Sequence, residues 1–175
     1  MTDIPSFRDL FAHSSRSAVH LEMRDGYMTS DPSYEAWRRG LRDGIVDIDP
    51  AWLPWARLVR ETVDRGVEVR RARIVSEPLS DYIRFEHHVT DENVAAGEQV
   101  RWLPRRRATD LALPGNDFWL FDGEVLLINH FDGEGEVAPG VPRELIGDPE
   151  VVKLCATAFE AVWERAVPHE DYRPA

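Results

Sequence analysis

Two uninterrupted apolar stretches flank a two-residue turn in the second half of the chain: Phe118-Trp119-Leu120-Phe121, then Asp122-Gly123, then Val125-Leu126-Leu127-Ile128 after Glu124. An Asp-Gly pair fits a type I′ turn, because both central residues there take positive φ. A strand that is apolar at every position needs cover on both of its faces. The hairpin therefore predicts a sheet with helices above and below it.

The rest of the chain supplies those helices. Ser6 with Asp9 reads as a helix start running through Phe11. Val19, Leu21 and Met23 alternate with His20, Glu22 and Arg24, the period-two pattern of a half-buried strand that ends at Asp25-Gly26. Asp31-Pro32 caps a helix carrying Tyr34, Trp37 and Leu41, and Asp49-Pro50 opens a second whose stripe is Trp52, Trp55, Leu58, Val59 and Val63. Val67–Val75 reads as a strand whose apolar phase shifts from odd to even positions, as at a bulge or in a strand covered on both faces. Leu79, Tyr82, Ile83 and Glu86 predict a helix over 78–88, and Gln99–Leu103 a short strand. A polar loop spans Pro104–Asn116, and Gly133–Gly147 reads as a Gly/Pro-rich connection. Asp148-Pro149 opens a last helix, with Cys155 inside its apolar stripe. The expected architecture is a single α+β domain over residues 1–175, with a mixed or antiparallel sheet between helical layers.

Charge narrows the function. Residues 1–75 balance 12 acids with 12 arginines, whereas residues 76–175 hold 20 acids against nine basic side chains and so carry the whole net charge of −11. Such a field opposes polyanions, since nucleic-acid binders draw most of their affinity from a basic surface. Direct nucleic-acid binding is therefore not expected, while a basic protein partner suits the acidic second half. Lys153 is the only lysine, which excludes mechanisms needing lysines at two places. Cys155 is the only cysteine, which excludes an intramolecular disulfide and points to a cytoplasmic protein. No apolar run is long enough to span a membrane.

Reactive motifs are sparse. The chain has no Gly-x-Ser-x-Gly elbow and no Gly-x-x-x-x-Gly-Lys phosphate loop. His87 and His88 precede Asp91 and Glu92 by one helical turn, a spacing at which two side chains can share an ion, but a solvated helix end explains it as well. No catalytic residue, metal or cofactor is assigned.

The stretch from Gly115 through Asp122-Gly123 to Ile128 resembles the half-site of the phospholipase-D-like superfamily, read as His-x-Lys-x-x-x-x-Asp-Gly before an apolar strand. The likeness spans about residues 66–132. Gly115 stands at the histidine position and Asp117 at the lysine position, so the resemblance implies a phospholipase-D-like scaffold without its reactive groups. The whole chain also resembles a family of uncharacterised actinobacterial proteins often encoded beside helix-turn-helix regulators. That likeness rests on the segments Ser76–Glu86, Asn93–Glu98, Arg101–Arg105, Asp117–Asp122 and Ala166–His169. It implies a regulatory role.

Polar residues within these segments are the candidate ligand contacts: Arg84 and Glu86 on the helix, Arg101 and Arg105 flanking Trp102, and Asp117 and Asp122 on the hairpin. The expectation is that they meet at one edge of the sheet. Two functions follow. One is a non-enzymatic regulatory domain whose acidic half engages a basic partner such as a helix-turn-helix regulator. The other is a small-molecule or nucleotide-binding domain, or an enzyme with an unrecognised site, in which arginines beside an aromatic ring grip a planar or anionic ligand.

Overall fold

A computed structural model describes residues 4–174; Met1–Asp3 and Ala175, the ends of the span expected as one domain, lie outside the described residues. In chain order the elements are α1 (Phe7–His13), β1 (Ser17–Glu22), α2 (Pro32–Arg38), α3 (Trp52–Asp64), β2 (Glu68–Val75), α4 (Asp81–Ala95), β3 (Gln99–Pro104), β4 (Phe118–Phe121), β5 (Val125–Asn129), β6 (Arg143–Ile146), α5 (Pro149–Arg165) and β7 (Val167–Pro168). Seven strands form one mixed sheet in the order β6-β5-β4-β1-β2-β3-β7. The central strands β1, β2 and β3 are parallel, and the outer strands join antiparallel. The mixed α+β architecture with two helical layers is the one expected.

Alternation assigns each strand residue to a layer. Val19, Leu21, Ala72, Ile74, Leu103, Phe118, Leu120, Leu126 and Ile128 meet Val152, Cys155, Phe159, Val162 and Trp163 of α5 in one core cluster. Phe159 and Val162 are fully buried there, each contributing roughly 1.5–3 kcal/mol. The opposite face carries Phe11, Leu58, Val59, Val69, Trp119 and Leu127 beneath α1 and α3. Beside them Ile83, Val89, Val100 and Trp102 pack beneath α4.

Several elements depart from expectation, and one pair of alternatives is settled. The Asp31-Pro32 helix ends at Arg38, short of Leu41. The helix expected to open at Asp49-Pro50 begins at Trp52, with Ala51 at its N-cap and no side-chain cap, while Asp49 accepts from the Ala51 N–H at 2.8 Å. The strand over residues 67–75 has no bulge: β2 pairs continuously with β1 and β3, so it is the doubly covered alternative. β1 is not half-buried: His20 and Glu22, on the face opposite Leu21, are only 8% and 9% exposed. The helix expected over 78–88 is capped by the Ser80 side chain and continues to Ala95, since Val89 and Asn93 extend its buried face. The Gly133–Gly147 connection contains β6, an exposed edge strand whose Arg143 and Glu144 hide its periodicity.

The hairpin turn matches its prediction, with φ of 53° at Asp122 and 72° at Gly123. The Asp122 carboxylate also accepts hydrogen bonds from the backbone N–H groups of Ser15 (2.9 Å), Arg16 (2.8 Å) and Ser17 (2.9 Å), pinning the start of β1 to the turn. Partial burial raises its proton affinity, but these donors outweigh burial and hold the carboxyl below its usual range. Its stabilisation is therefore present above about pH 4 and lost as pH falls through the folded-state value. Asp122→Ala is expected to cost about 1–3 kcal/mol in urea denaturation, and Asp122→Asn less, because the amide oxygen keeps part of the acceptor role.

Candidate functional site

The inner face of the sheet, opposite α5, carries charge where a core would be apolar. His20 and Glu22 on β1 pair in register with Arg71 and Arg73 on β2. Arg71 donates to Glu22 Oε1 at 2.6 Å and to Glu98 Oε1 at 2.7 Å. Arg73 lies 2.9 Å from Glu22 Oε2 through Nε and donates to Glu86 of α4. Tyr82 donates to the other Glu86 oxygen at 2.7 Å, and the Asn93 amide donates to Glu98 at 2.9 Å. Burial alone would lower the proton affinity of Arg71, but Glu98 and Glu22 reverse that and raise it. The network thus joins β1, β2, α4 and the approach to β3.

Beside it opens a cavity of about 720 Å³. His20, Glu22, Arg71, Asp117, Trp119 and Asn129 line its sheet side, and Tyr82 and Glu86 of α4 form one wall. Phe7 and the segment before α1 form another, with Tyr27, Met28, Phe131, Val137 and Arg143 contributed by loops and the start of β6. The two covering loops are tied together by Met28 N–H donating to Gly135 O at 2.9 Å. Gly135 sits at φ +85°, and a Cβ there would meet the Gly26 carbonyl oxygen at 3.2 Å, so only glycine allows this approach.

The groups in the cavity differ in protonation. His20 lies flat on Trp119, ring centroids 4.3 Å apart and planes 16° apart. Burial, then Arg71 and Arg73, drive its pKa well down, so it is neutral. Its buried Nδ1 has no hydrogen-bond partner and lies 3.4 Å from Glu22 Oε1. Asp117 accepts from Met23 N–H at 3.0 Å and from the Tyr27 hydroxyl. Burial raises Asp117 to about 6; the Tyr27 hydrogen bond opposes that rise and Glu22 adds to it. Asp117 can therefore exchange a proton near neutrality, while Glu22 and Glu86 are held by arginines.

Of the residues singled out from the sequence, the fold brings Glu86 and Asp117 together at this cavity and separates the others. Arg84 is exposed and pairs with Asp81 at 3.2 Å. Arg101 points to the α5 layer, 4.3 Å from the Trp163 ring centroid. Arg105 ties strand ends together by donating to the carbonyls of Met23 (2.6 Å) and Ile74 (3.1 Å). Trp102 is fully buried and donates to His169 Nδ1 at 3.0 Å. Asp122 serves the opposite end of β1. Strand alternation explains the separation: Arg101 and Trp102 are adjacent and must face opposite layers. His20, Glu22, Arg71 and Arg73 were not among the sequence candidates. Their signal was the odd-to-even phase shift of residues 67–75, created by two arginines on an inward face.

The helical His87 and His88 diverge. His87 packs 4.9 Å from His169 between ring centroids, whereas His88 Nε2 lies 3.0 Å from the Arg42 carbonyl oxygen. Among the described residues no three His, Cys, Asp or Glu side chains converge to hold a metal ion. Nor is any described helix long and apolar enough to cross a membrane.

A mixed sheet with a charged inner face beside an aromatic-walled cavity defines the class of this domain. The chain belongs to the family described as domain of unknown function DUF6879, whose model matches residues 5–174. No curated protein matches it in sequence. Solved structures similar to this chain include the following two. Nuc, a phospholipase D family member from Salmonella typhimurium, has 10% identity and a TM-score of 0.49, covering 95% of this chain and 88% of that one. TrmBL2, an archaeal chromatin protein whose structure shows a mode of DNA binding, has 15% identity and a TM-score of 0.47. That match covers 91% of this chain but 47% of TrmBL2, so the chain spans about half its length.

Arg71→Met is expected to cost about 3–5 kcal/mol in denaturant unfolding, because it leaves Glu22 and Glu98 buried without their shared cation. Adding Glu98→Gln should recover part of that loss. Equal stability of wild type and Arg71→Met would show that the pairing is not formed.

Proposed function

We propose that this protein is a binding domain for a small, part-aromatic molecule, with a regulatory rather than a catalytic task. The observation that carries the reading is the 720 Å³ cavity, lined by the aromatic side chains of Tyr27, Tyr82, Trp119 and Phe131 and by the polar Asp117, Glu22 and His20. Ligand sites have this combination of volume, apolar lining and few convergent polar groups. The carboxylates Glu22 and Glu86 are each held by an arginine, an arrangement that orients groups rather than freeing a base. The test is thermal unfolding against a library of nucleosides, aromatic amines and aromatic acids. A ligand at about 100 times its Kd adds roughly 2.7 kcal/mol of stability, and Val137→Trp at the cavity rim should abolish the shift. Failure of every compound, or a shift that survives Val137→Trp, would contradict the reading.

A second reading concerns the acidic half. Glu150, Glu164, Glu170 and Asp171 are exposed, and among the described residues none forms an ion pair. These charges suit a basic protein surface, and the likeness to an actinobacterial family encoded beside helix-turn-helix regulators supports such a partner in the cytoplasm. Mixing the protein with a helix-turn-helix regulator should give a complex at low salt that dissociates as ionic strength rises. A complex indifferent to salt, or none, would remove this reading.

A further inference from the structure

We propose that the segment following α5, Val167–Tyr172, is an acid-released strap: it lies docked across β3 and α4 while His87 and His169 are neutral, and lifts when they take up protons. The strap is a different part of the molecule from the cavity, and its release goes beyond the binding reading. β7 pairs antiparallel with β3, Pro168 opposite Arg101 and Val167 opposite Trp102, and the His169 N–H donates to Val100 O at 3.0 Å. Tyr172 stacks on Trp102, ring centroids 5.5 Å apart and planes 8° apart, and its hydroxyl donates to Glu77 at 3.0 Å.

The His169 side chain adds an anchor that depends on its protonation. It accepts from the Trp102 indole N–H through Nδ1 and meets the Asp91 carboxylate through Nε2, both at 3.0 Å. Only the neutral ring with its proton on Nε2 does both. A second proton, on Nδ1, would turn an N–H towards the Trp102 N–H, where Trp102 is fully buried. His87, one helical turn before Asp91 on α4, packs against the same strap, its ring centroid 4.9 Å from that of His169 and 5.8 Å from that of Tyr172. Its buried Nε2 has no hydrogen-bond partner, so a proton there would be an unmatched charge.

The surrounding charges set the direction. Burial first, and then His169, lower the proton affinity of His87; Arg173 lowers it further, against the Tyr172 backbone and Asp91, which raise it. From β2, the Arg73 guanidinium lies 5.2 Å from the Trp102 ring centroid, and Glu77, at the Tyr172 hydroxyl, is paired with Arg106. Asp91 faces both histidines, but its side chain is 83% exposed, so water screens it, and it already accepts from His169. It offsets one added proton better than two. Once the strap lifts, both rings reach water and take the ordinary histidine value of about 6.5. Because the docked value of His87 lies below that, docking is fully favoured above about pH 6.5 and weakens as pH falls towards the docked value. Release uncovers the edge of β3 and the Trp102 ring together.

The experiment is hydrogen exchange by NMR on the full chain, following the Trp102 indole N–H and the backbone amide at position 169, with the Phe159 amide of α5 reporting the core. Between about pH 7.5 and about pH 5, protection corrected for intrinsic exchange should fall about tenfold or more at the first two, and stay constant at Phe159. His87→Phe alone should reduce that fall. Combining it with His169→Asn, whose amide oxygen can keep accepting from Trp102, should abolish it. Protection at Trp102 and position 169 that ignores pH in the wild type would overturn the proposal. So would a loss shared by Phe159, which would mean global unfolding, or a loss that persists in the double variant.

Discussion

Two arginines on one strand, both buried, govern this fold. Arg71 and Arg73 project from β2 onto a face that α3 and α4 cover, where an unpaired guanidinium is prohibitive. Glu22 from β1, Glu86 from α4 and Glu98 ahead of β3 supply the partners. Each contact joins a different element, so the network fixes how β1, β2, β3 and α4 sit together. Ion pairs of this kind contribute little net stability compared with well-packed hydrophobes, but losing one member is severe. Their consequence here is geometric.

That geometry leaves room. On the α5 side, alternating apolar residues fill the space between sheet and helix with Leu21, Ile74, Phe118 and Phe159. On the inner side His20 and Glu22 of β1 pair in register with Arg71 and Arg73 of β2, and Arg73 reaches Glu86 of α4. The Tyr27–Met28 loop and the Phe131–Val137 loop close over the gap, joined where Gly135 approaches Gly26. Trp119 and His20 stack to form an aromatic floor next to the charges. A loop-covered cavity with polar and apolar lining lies beside the two inward arginines.

The layered architecture was legible because its signals are local. The Asp122-Gly123 turn needs two positive φ values, and Asp31, Ser6 and Asp148 cap helices through side-chain oxygens within three residues of their targets. The apolar stripe of α5 predicted its packing and the burial of Cys155. The site was less legible because its pairings are long-range. Arg71 finds Glu22 across 49 residues and Glu98 across 27, and nothing in local spacing announces either. Read alone, His20 and Glu22 look like the solvated face of a strand; in the fold they pair in register with Arg71 and Arg73, and His20 stacks on Trp119. Asp117 and Glu86 were found from the sequence, but grouping them with Arg101 and Trp102 ignored the alternation that turns neighbours to opposite layers.

The account holds that the inner face is a buried, charge-paired surface beside a cavity, and Asp117 reports on its burial and its charges at once. An NMR titration of the Asp117 carboxyl carbon in the unliganded protein measures them directly. A midpoint near 6 is predicted, set by burial and by the charge of Glu22 against the pull of the Tyr27 hydroxyl. A midpoint at or below the ordinary aspartate value of about 4 would mean that the carboxyl is solvated or faces net positive charge, and would contradict the account.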